Sequence, residues 1–252
     1  MGTDVRTDPG VGKRLRLAAL ASQADVRVDC RYRMISNTNA WKRFSYTIWA
    51  PVYDLVISGL FERRRQRSIK LLDLKPGERV LLVGAGTGLD LDCLPGNVNI
   101  VATDLTPAMI ARLKHRAERL GLSVDARVMD GHALDFPDES FDAVILHLIV
   151  AVIPDPVRCL HEVARVLRPS GRAVIFDKFA PDNTNPTFLL RLMNPLTSLF
   201  GTEITRRLGT ILANVPLQIT HQEAAGLKGL FKIVLVGKTP CSVVSGMCVH
   251  TL

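Results

Sequence analysis

Five short apolar segments, separated by stretches of 10 to 21 residues, limit most strongly what this chain can fold into. They read RVLLVG, NIVATD, SVDARVMD, FDAVILHLIV and RAVIFDKF. Each is short, rich in Val, Ile and Phe, and bounded by Gly, Pro, Asp or Asn, which is the pattern of a β-strand. LQITHQEAAGLKGLFKIVLVGK adds two further strands near the end of the chain.

Helical segments lie between these strands and have recognisable ends. Thr106 and Pro107 are an N-cap followed by proline at the first helical position, and Gly121 ends that helix. Asp155 and Pro156 open a second helix in the same way. Strands that alternate with helices predict an α/β doubly wound fold, with a mostly parallel seven-stranded sheet, helices on both faces and an antiparallel last strand.

The chain divides into a leader, one large domain and a tail. Its 252 residues and 47% hydrophobic content suffice for one sizeable core. We expect a mobile basic leader at 1–35, with Met34 as an alternative start. The domain spans 36–240, subdivided into an N-terminal helical lid (36–75), a core of alternating strands and helices (76–180) and further helices with the final strands (181–240), and the tail is 241–252.

The charge and the cysteines indicate the surroundings of the protein. The excess of 8 positive charges lies in residues 1–75, which contain 15 Lys and Arg against 7 Asp and Glu. Nucleic acid and an anionic membrane surface are candidate partners on charge alone, and a solvated helix face explains the excess equally well. The 5 cysteines are scattered and never spaced as C-x-x-C, so we expect no disulfide framework, no metal site and a cytoplasmic protein.

The first predicted strand leads directly into three glycines, Gly84, Gly86 and Gly88. A glycine-rich turn between a strand and a helix exposes backbone N–H groups at the carboxyl edge of a sheet, where such folds bind ligands. The spacing is not G-x-G-x-x-G, which disfavours a nicotinamide-dependent dehydrogenase. The loop therefore favours a nucleoside over a pyrophosphate.

Acidic residues follow the next strands at the same edge. Asp104 ends the second strand, where a carboxylate can accept hydrogen bonds from both ribose hydroxyls. Asp130 ends the third, where it could accept the exocyclic amine of adenine. Asp142 opens the fourth strand and is interpreted as structural, bonding nearby backbone.

VLLVGAGTG, VATDLTPAMI, VMDGHALDFPDESFDAVILHLIV and HEVARVLRPSGRAVIFD together resemble the class I S-adenosylmethionine-dependent methyltransferases. The likeness covers about residues 40–240 and implies a Rossmann-like fold and S-adenosyl-L-methionine as cofactor. Within the class, the chain is most similar to quinone C-methyltransferases and soluble bacterial phosphatidylethanolamine N-methyltransferases. YTIWAPVYDLVISGLFERRR is similar to the start of the phospholipid enzymes in particular.

The resemblance also implies roles for individual residues. The loop around the glycines would face the methionine part of the cofactor, Asp104 the ribose, and Asp130 the adenine. The implied cofactor-binding set is Gly84, Ala85, Gly86, Gly88, Asp104, Leu105, Met109, Asp130, Gly131, His132 and His147. Tyr46 and Tyr53 would lie in a lid over the site. One position departs from the family, which usually has Glu or Asp where this chain has Leu82.

His147 is the candidate catalytic residue. Attack of an amine or hydroxyl on the activated methyl group leaves a proton to be removed, and an imidazole near the end of the fourth strand could accept it. The alternative is a histidine buried in the sheet and satisfied by a neighbour.

The substrate is the part of the function that the residues define least. The apolar segment NPTFLLRLMNPLTSLF, followed by Arg206 and Arg207, would suit an amphiphile with an acidic head group, and an ordinary core helix explains it as well. We expect methylation of a phospholipid head-group amine or a similar hydrophobic molecule, with peripheral membrane contact as an open possibility. The alternatives are quinone, thiol or other small-molecule methylation, and a protein that binds S-adenosylmethionine without small-molecule activity. Nucleic acid is disfavoured because HLIVAVIPDP stands where base-amine methyltransferases have an N/D-P-P-Y/F/W type motif.

Overall fold

The computed structural model describes residues 61–180, 206–226 and 229–238. The predicted leader, most of the lid, the apolar segment before Arg206 and the tail lie outside these ranges. None of the helices within them has the length and apolar character needed to cross a bilayer.

The described residues form one seven-stranded sheet in the order β3-β2-β1-β4-β5-β7-β6. The strands are β1 (Arg79–Val83), β2 (Asn99–Asp104), β3 (Val124–Val128), β4 (Phe141–His147), β5 (Leu167–Lys178), β6 (Leu217–Ala224) and β7 (Phe231–Lys238). The first five pair in parallel, and β7 runs antiparallel to both of its neighbours. The predicted Rossmann-like fold class is confirmed.

Helices cover both faces of the sheet. They are α1 (described over 61–71), α2 (Pro107–Leu120), α3 (Pro156–Val166) and α4 (Leu208–Leu212), with a short 3-10 helix at Leu89–Cys93. The core on one face contains buried side chains of α1 and α2, and the core on the other contains those of α3 and α4. Alternating side chains of the buried strands supply both layers, which explains why β1 and β4 are almost continuously apolar.

The predicted helix ends agree with the structure. Gly121 follows α2 in the left-handed conformation, with φ of 66°. The Asp155 side chain accepts a hydrogen bond from the Arg158 N–H at the start of α3. Thr106 takes the N-cap position of α2, although its side chain makes no capping hydrogen bond.

The chain reverses its direction of winding at β1. β2 and β3 lie on one side of β1, whereas β4 and β5 lie on the other. The crevice outside the carboxyl ends of β1 and β4 is therefore the switch point at which open α/β sheets bind ligands.

Candidate cofactor and acceptor site

The glycine loop follows β1 at this switch point. Gly84, Gly86 and Gly88 have φ angles of 65°, 55° and 80°, which L side chains rarely adopt. The Ala85 N–H donates to the Thr103 carbonyl over 2.9 Å, and the Gly88 N–H donates to the Ala85 carbonyl over 3.0 Å. The loop is therefore a defined turn held against β2.

The three glycines have different roles. A Cβ on Gly84 would lie 2.7 Å from Ile149 Cδ1, and one on Gly88 would lie 2.9 Å from Leu113 Cγ, so these two permit close packing. A Cβ on Gly86 would meet no described atom within 4 Å. Gly86 is thus the glycine whose missing side chain leaves room for a ligand against the main chain.

Asp104 joins this loop to the end of β2. One carboxylate oxygen accepts from the Gly86 N–H over 2.9 Å, and the other accepts from the Thr106 N–H over 2.9 Å. Burial raises the pKa of Asp104, and the two backbone hydrogen bonds partly offset that effect. Each carboxylate oxygen can accept a second hydrogen bond, which leaves capacity for ribose hydroxyls.

Asp130, which is exposed, and His132, which is half-buried, form a rim beside Asp104. β3 ends at Val128, two residues before the predicted position, but the Met129 N–H still donates to the Asp104 carbonyl over 2.9 Å. One oxygen of Asp130 accepts from the His132 N–H over 2.9 Å and lies 2.7 Å from His132 Nδ1. His132 Nε2 in turn accepts from the Asp155 N–H over 3.2 Å, so Nδ1 carries the proton of the neutral ring and donates to Asp130.

Apolar and small residues complete the same edge. Met109 is buried in the first turn of α2, and Leu105 is half-buried just before it. Ala85 is buried within the glycine loop. A Cβ on Gly131 would lie 3.2 Å from Ile153 Cδ1, so this glycine lets the loop after β3 approach the loop after β4. Tyr46 and Tyr53 lie outside the described residues.

The structure does not support a catalytic or cofactor-contacting role for His147. Its side chain is 0% exposed. Nδ1 lies 2.7 Å from Asp90 Oδ1, and Nε2 lies 2.8 Å from Ser68 Oγ. Because both ring nitrogens are engaged inside the protein, the geometry favours the alternative of a satisfied core histidine over the expected catalytic role.

Asp142 is structural, as expected, but its partners differ from the expected local ones. It accepts from the Arg79 N–H over 2.8 Å and pairs with Arg168, so it ties β4 to β1 and β5. These contacts lie at the amino ends of the strands. Asp142 is therefore remote from the glycine loop.

Two residues hold the loop after β4: Asp177, which the sequence analysis did not single out, and Arg206, which was expected beside the acceptor. Asp177, fully buried in β5, accepts from the Ala151 N–H over 2.8 Å, and burial raises its pKa to about 6. Arg206 donates to the carbonyls of Val150 and Ile153 over 2.8 and 2.6 Å. An acid inside the apolar segment RAVIFDKF is the signal that could have identified Asp177.

The site fits a nucleoside cofactor. A glycine cradle open at Gly86, a carboxylate at the ribose position and a second acid at the rim lie in sequence along the carboxyl edge. S-adenosylmethionine supplies a methyl group already activated on a sulfonium, so the protein has to orient the acceptor and exclude water. Fold and site thus define a Rossmann-like protein built for a nucleoside-containing cofactor.

Comparison with known proteins identifies the family. A model described as methyltransferase domain matches residues 81–175. A phosphatidylethanolamine N-methyltransferase of Cereibacter sphaeroides is 33% identical over 189 residues, 74% of this chain and 92% of that protein. A demethylmenaquinone methyltransferase of Thermus thermophilus is 36% identical over 137 residues, 51% of this chain and 61% of that protein. The chain belongs to the S-adenosylmethionine-dependent methyltransferases, and S-adenosylmethionine is its cofactor.

Solved structures agree on the fold. A SAM-dependent methyltransferase from Aquifex aeolicus superposes with a TM-score of 0.53 at 19% identity, covering 69% of this chain and 88% of that one. The [4+2]-cyclase SpnF superposes with a TM-score of 0.58 at 20% identity, covering 70% of this chain and 80% of that one. Because one of these neighbours is named a cyclase, the fold does not define the reaction by itself.

Proposed function

We propose that the protein transfers a methyl group from S-adenosylmethionine to the head-group amine of a phosphatidylethanolamine-type phospholipid. The observation that carries the proposal is the similarity to the Cereibacter enzyme, because that alignment extends over 92% of the relative and well beyond the family match at 81–175. Function depends on the particular site and not on the shared fold, so a likeness that extends beyond the family match is informative about the acceptor.

Lys178 supports an acceptor that carries an anion. It ends β5 on the same face as Phe176, two positions earlier, and its backbone partner in β7 is Phe231. Burial lowers the pKa of Lys178, with Asp177 opposing the effect, and the ammonium makes no hydrogen bond or ion pair among the described residues. A phosphodiester would complement this cation, and an apolar cluster of Phe61, Phe176 and Phe231 lies beneath it.

Three of the four arginines described in α1 make contacts within the protein, whereas Arg63 is exposed. Arg65 is buried and paired with Asp90, Arg67 is paired with Glu223, and Arg64 donates to the Ala225 carbonyl. These three charges serve contacts within the protein. A peripheral contact with anionic membranes thus remains a proposal that rests on the net charge of residues 1–75.

Methylation of a quinone is the second candidate, favoured by the Thermus relative. Transfer of labelled methyl groups from S-adenosylmethionine separates the two. The acceptors are phosphatidylethanolamine in phosphatidylglycerol vesicles, demethylmenaquinone in detergent, and a panel of small amines, phenols and thiols. Label in the phospholipid supports the proposal, and label confined to the quinone or to a small molecule contradicts it.

A charge-removal pair examines the role of Lys178. We expect Lys178→Met to raise KM for phosphatidylethanolamine about tenfold, the loss of one charge-assisted contact, with the Kd of S-adenosylmethionine unchanged. Lys70→Met, which removes an exposed lysine from α1, is the control. Equal KM values for both variants would remove Lys178 from the acceptor site.

A further inference from the structure

A buried polar network connects α1 to the turn after the glycine loop. The Arg65 guanidinium donates to Asp90 Oδ1 over 2.6 Å, and His147 Nδ1 lies 2.7 Å from the same oxygen. Ser68 Oγ lies 2.8 Å from His147 Nε2. All four side chains are buried, so the network joins α1, the 3-10 helix and β4 inside the core.

Asp90 is the ionised centre of this network. Burial alone would raise its pKa, but the charges and hydrogen bonds of His147 and Arg65 outweigh burial and hold the pKa well below its usual value. A carboxylate can only accept hydrogen bonds, so His147 Nδ1 carries a proton and donates to Asp90. Replacing a buried ion pair by apolar residues is often neutral for stability, so stability alone is a weak reason for such a group.

The position of Asp90 indicates what the network does. It is the second residue of the 3-10 helix that begins directly after Gly88. The Leu91 N–H donates to the Gly88 carbonyl over 3.0 Å, which makes the glycine loop and this helix one continuous turn. Fixing the Asp90 carboxylate against α1 and β4 therefore fixes the far end of the loop whose centre, Gly86, faces open space.

The register of β1 and β4 places the side chain of Leu82 on the same face of the sheet as that of His147. Leu82 pairs with Ile145, and His147 is two positions beyond Ile145, so the side chains of Leu82, Ile145 and His147 point to one side of the sheet. Arg65 Nε is buried and has no hydrogen-bond partner among the residues that the structure describes. Arg65 and His147 thus provide hydrogen-bond donors for a carboxylate on this side of the sheet. Asp90 supplies that carboxylate, whereas residue 82 is the apolar Leu82.

We propose that Asp90 is the positioning carboxylate of the cofactor loop in this protein. Held by Arg65 and His147, it keeps the glycine loop in the conformation that binds S-adenosylmethionine, although it contacts neither cofactor nor acceptor. The proposal depends on cofactor binding and not on the identity of the acceptor. Calorimetric binding of S-adenosylmethionine therefore tests it separately from methyl transfer.

The central variant is Asp90→Asn, which keeps the shape and removes the charge. We expect the Kd of S-adenosylmethionine to rise at least about tenfold at a temperature where the variant is fully folded. Asp92→Asn is the matched control, because Asp92 belongs to the same 3-10 helix and pairs with Arg116 at the surface. A Kd within about twofold of wild type for Asp90→Asn, with only the melting temperature lowered, would overturn the proposal.

Two further variants keep the outcome decisive. Should Asp90→Asn fail to fold, Arg65→Lys retains the charge and loses the planar geometry; a raised Kd supports the proposal, and an unchanged Kd contradicts it. In the double variant Leu82→Glu, Asp90→Asn, a carboxylate from β1 points to the same side of the sheet. Recovery of cofactor affinity in a folded double variant supports a positioning carboxylate. A folded double variant that binds S-adenosylmethionine as weakly as Asp90→Asn would exclude a carboxylate that can position the loop from either residue.

Discussion

The Asp104 carboxylate accepts a hydrogen bond from the Gly86 N–H, 18 positions earlier in the chain, over 2.9 Å. The residue expected to bind the ribose therefore also shapes the glycine at which the cofactor approaches the main chain. Loss of this carboxylate removes a ligand group and loosens the loop at once. Removal of Asp104 should therefore weaken cofactor binding more than removal of Asp130 at the exposed rim.

Asp104→Asn should raise the Kd of S-adenosylmethionine about 10- to 100-fold, because hydrogen bonds to a charged group contribute about 1.5–3 kcal/mol. Isothermal titration calorimetry measures this change. Asp142→Asn is the control, since Asp142 also accepts from a backbone N–H but lies at the amino ends of the strands. A similar loss of affinity in both variants would show that general destabilisation, not the ribose contact, is responsible.

The raised pKa of Asp104 predicts opposite effects of pH on binding and on stability. Because the folded pKa lies above the unfolded one, the contribution of Asp104 to stability is present below the unfolded pKa of ~3.9 and is lost as pH rises through the folded pKa. Ribose hydroxyls require the ionised form, so cofactor affinity should fall on acidification. Calorimetry at pH 7 and at successively lower pH, as far as the protein stays folded, should show this fall in wild type and a smaller one in Asp104→Asn.

The open space beside Gly86 gives a prediction for which Gly121, at the end of α2, is the control. Gly86→Ala should cost roughly 1–2 kcal/mol of stability from the positive φ and abolish detectable cofactor binding, because the new Cβ enters the ligand space. Gly121→Ala carries the same backbone cost, with φ of 66° and no described atom within 4 Å of the Cβ, but lies at the end of α2. Normal binding by Gly86→Ala would place the cofactor elsewhere.

Asp177 should make stability depend on pH. Its pKa of about 6 lies above the unfolded value, so its contribution to stability is complete below about pH 4 and is lost as pH rises through 6. This amounts to a loss of on the order of 2–3 kcal/mol between pH 4 and pH 7. Urea unfolding across this range should show a flatter curve for Asp177→Asn than for wild type, and curves of equal slope would refute the assignment.

Much of the fold was predictable because its signals are local. The strand and helix limits followed from short apolar segments and from caps such as Pro107 and Gly121, and β2 was predicted at the residues where it occurs. β5 begins earlier than predicted, at Leu167, since the Arg-Pro-Ser-Gly stretch after α3 is extended and reads locally as a turn. Leu167 pairs with Phe141 of β4, and the regular pairing of β5 resumes at Arg172, opposite Ala143.

The site was predictable only in part, because its decisive contacts join residues that are far apart in the chain. His147 near the end of an apolar strand was open to either role until its partners, Asp90 and Ser68, were known. Asp177 was overlooked for the same reason. The role of a single acid in a strand can be assigned only when the backbone N–H groups that donate hydrogen bonds to it are known.

Substitution of Arg206 and Arg207 tests whether the basic residues before α4 act at a membrane or within the protein. Arg206 donates to carbonyls of the loop after β4, whereas Arg207 is exposed. Arg206→Ala should lower the free energy of unfolding by about 1–3 kcal/mol, because it leaves carbonyls without a donor, and Arg207→Ala should leave it unchanged. If both variants instead unfold like wild type and lose binding to anionic vesicles equally, the two arginines form a membrane-facing rim, and the loop after β4 does not depend on Arg206.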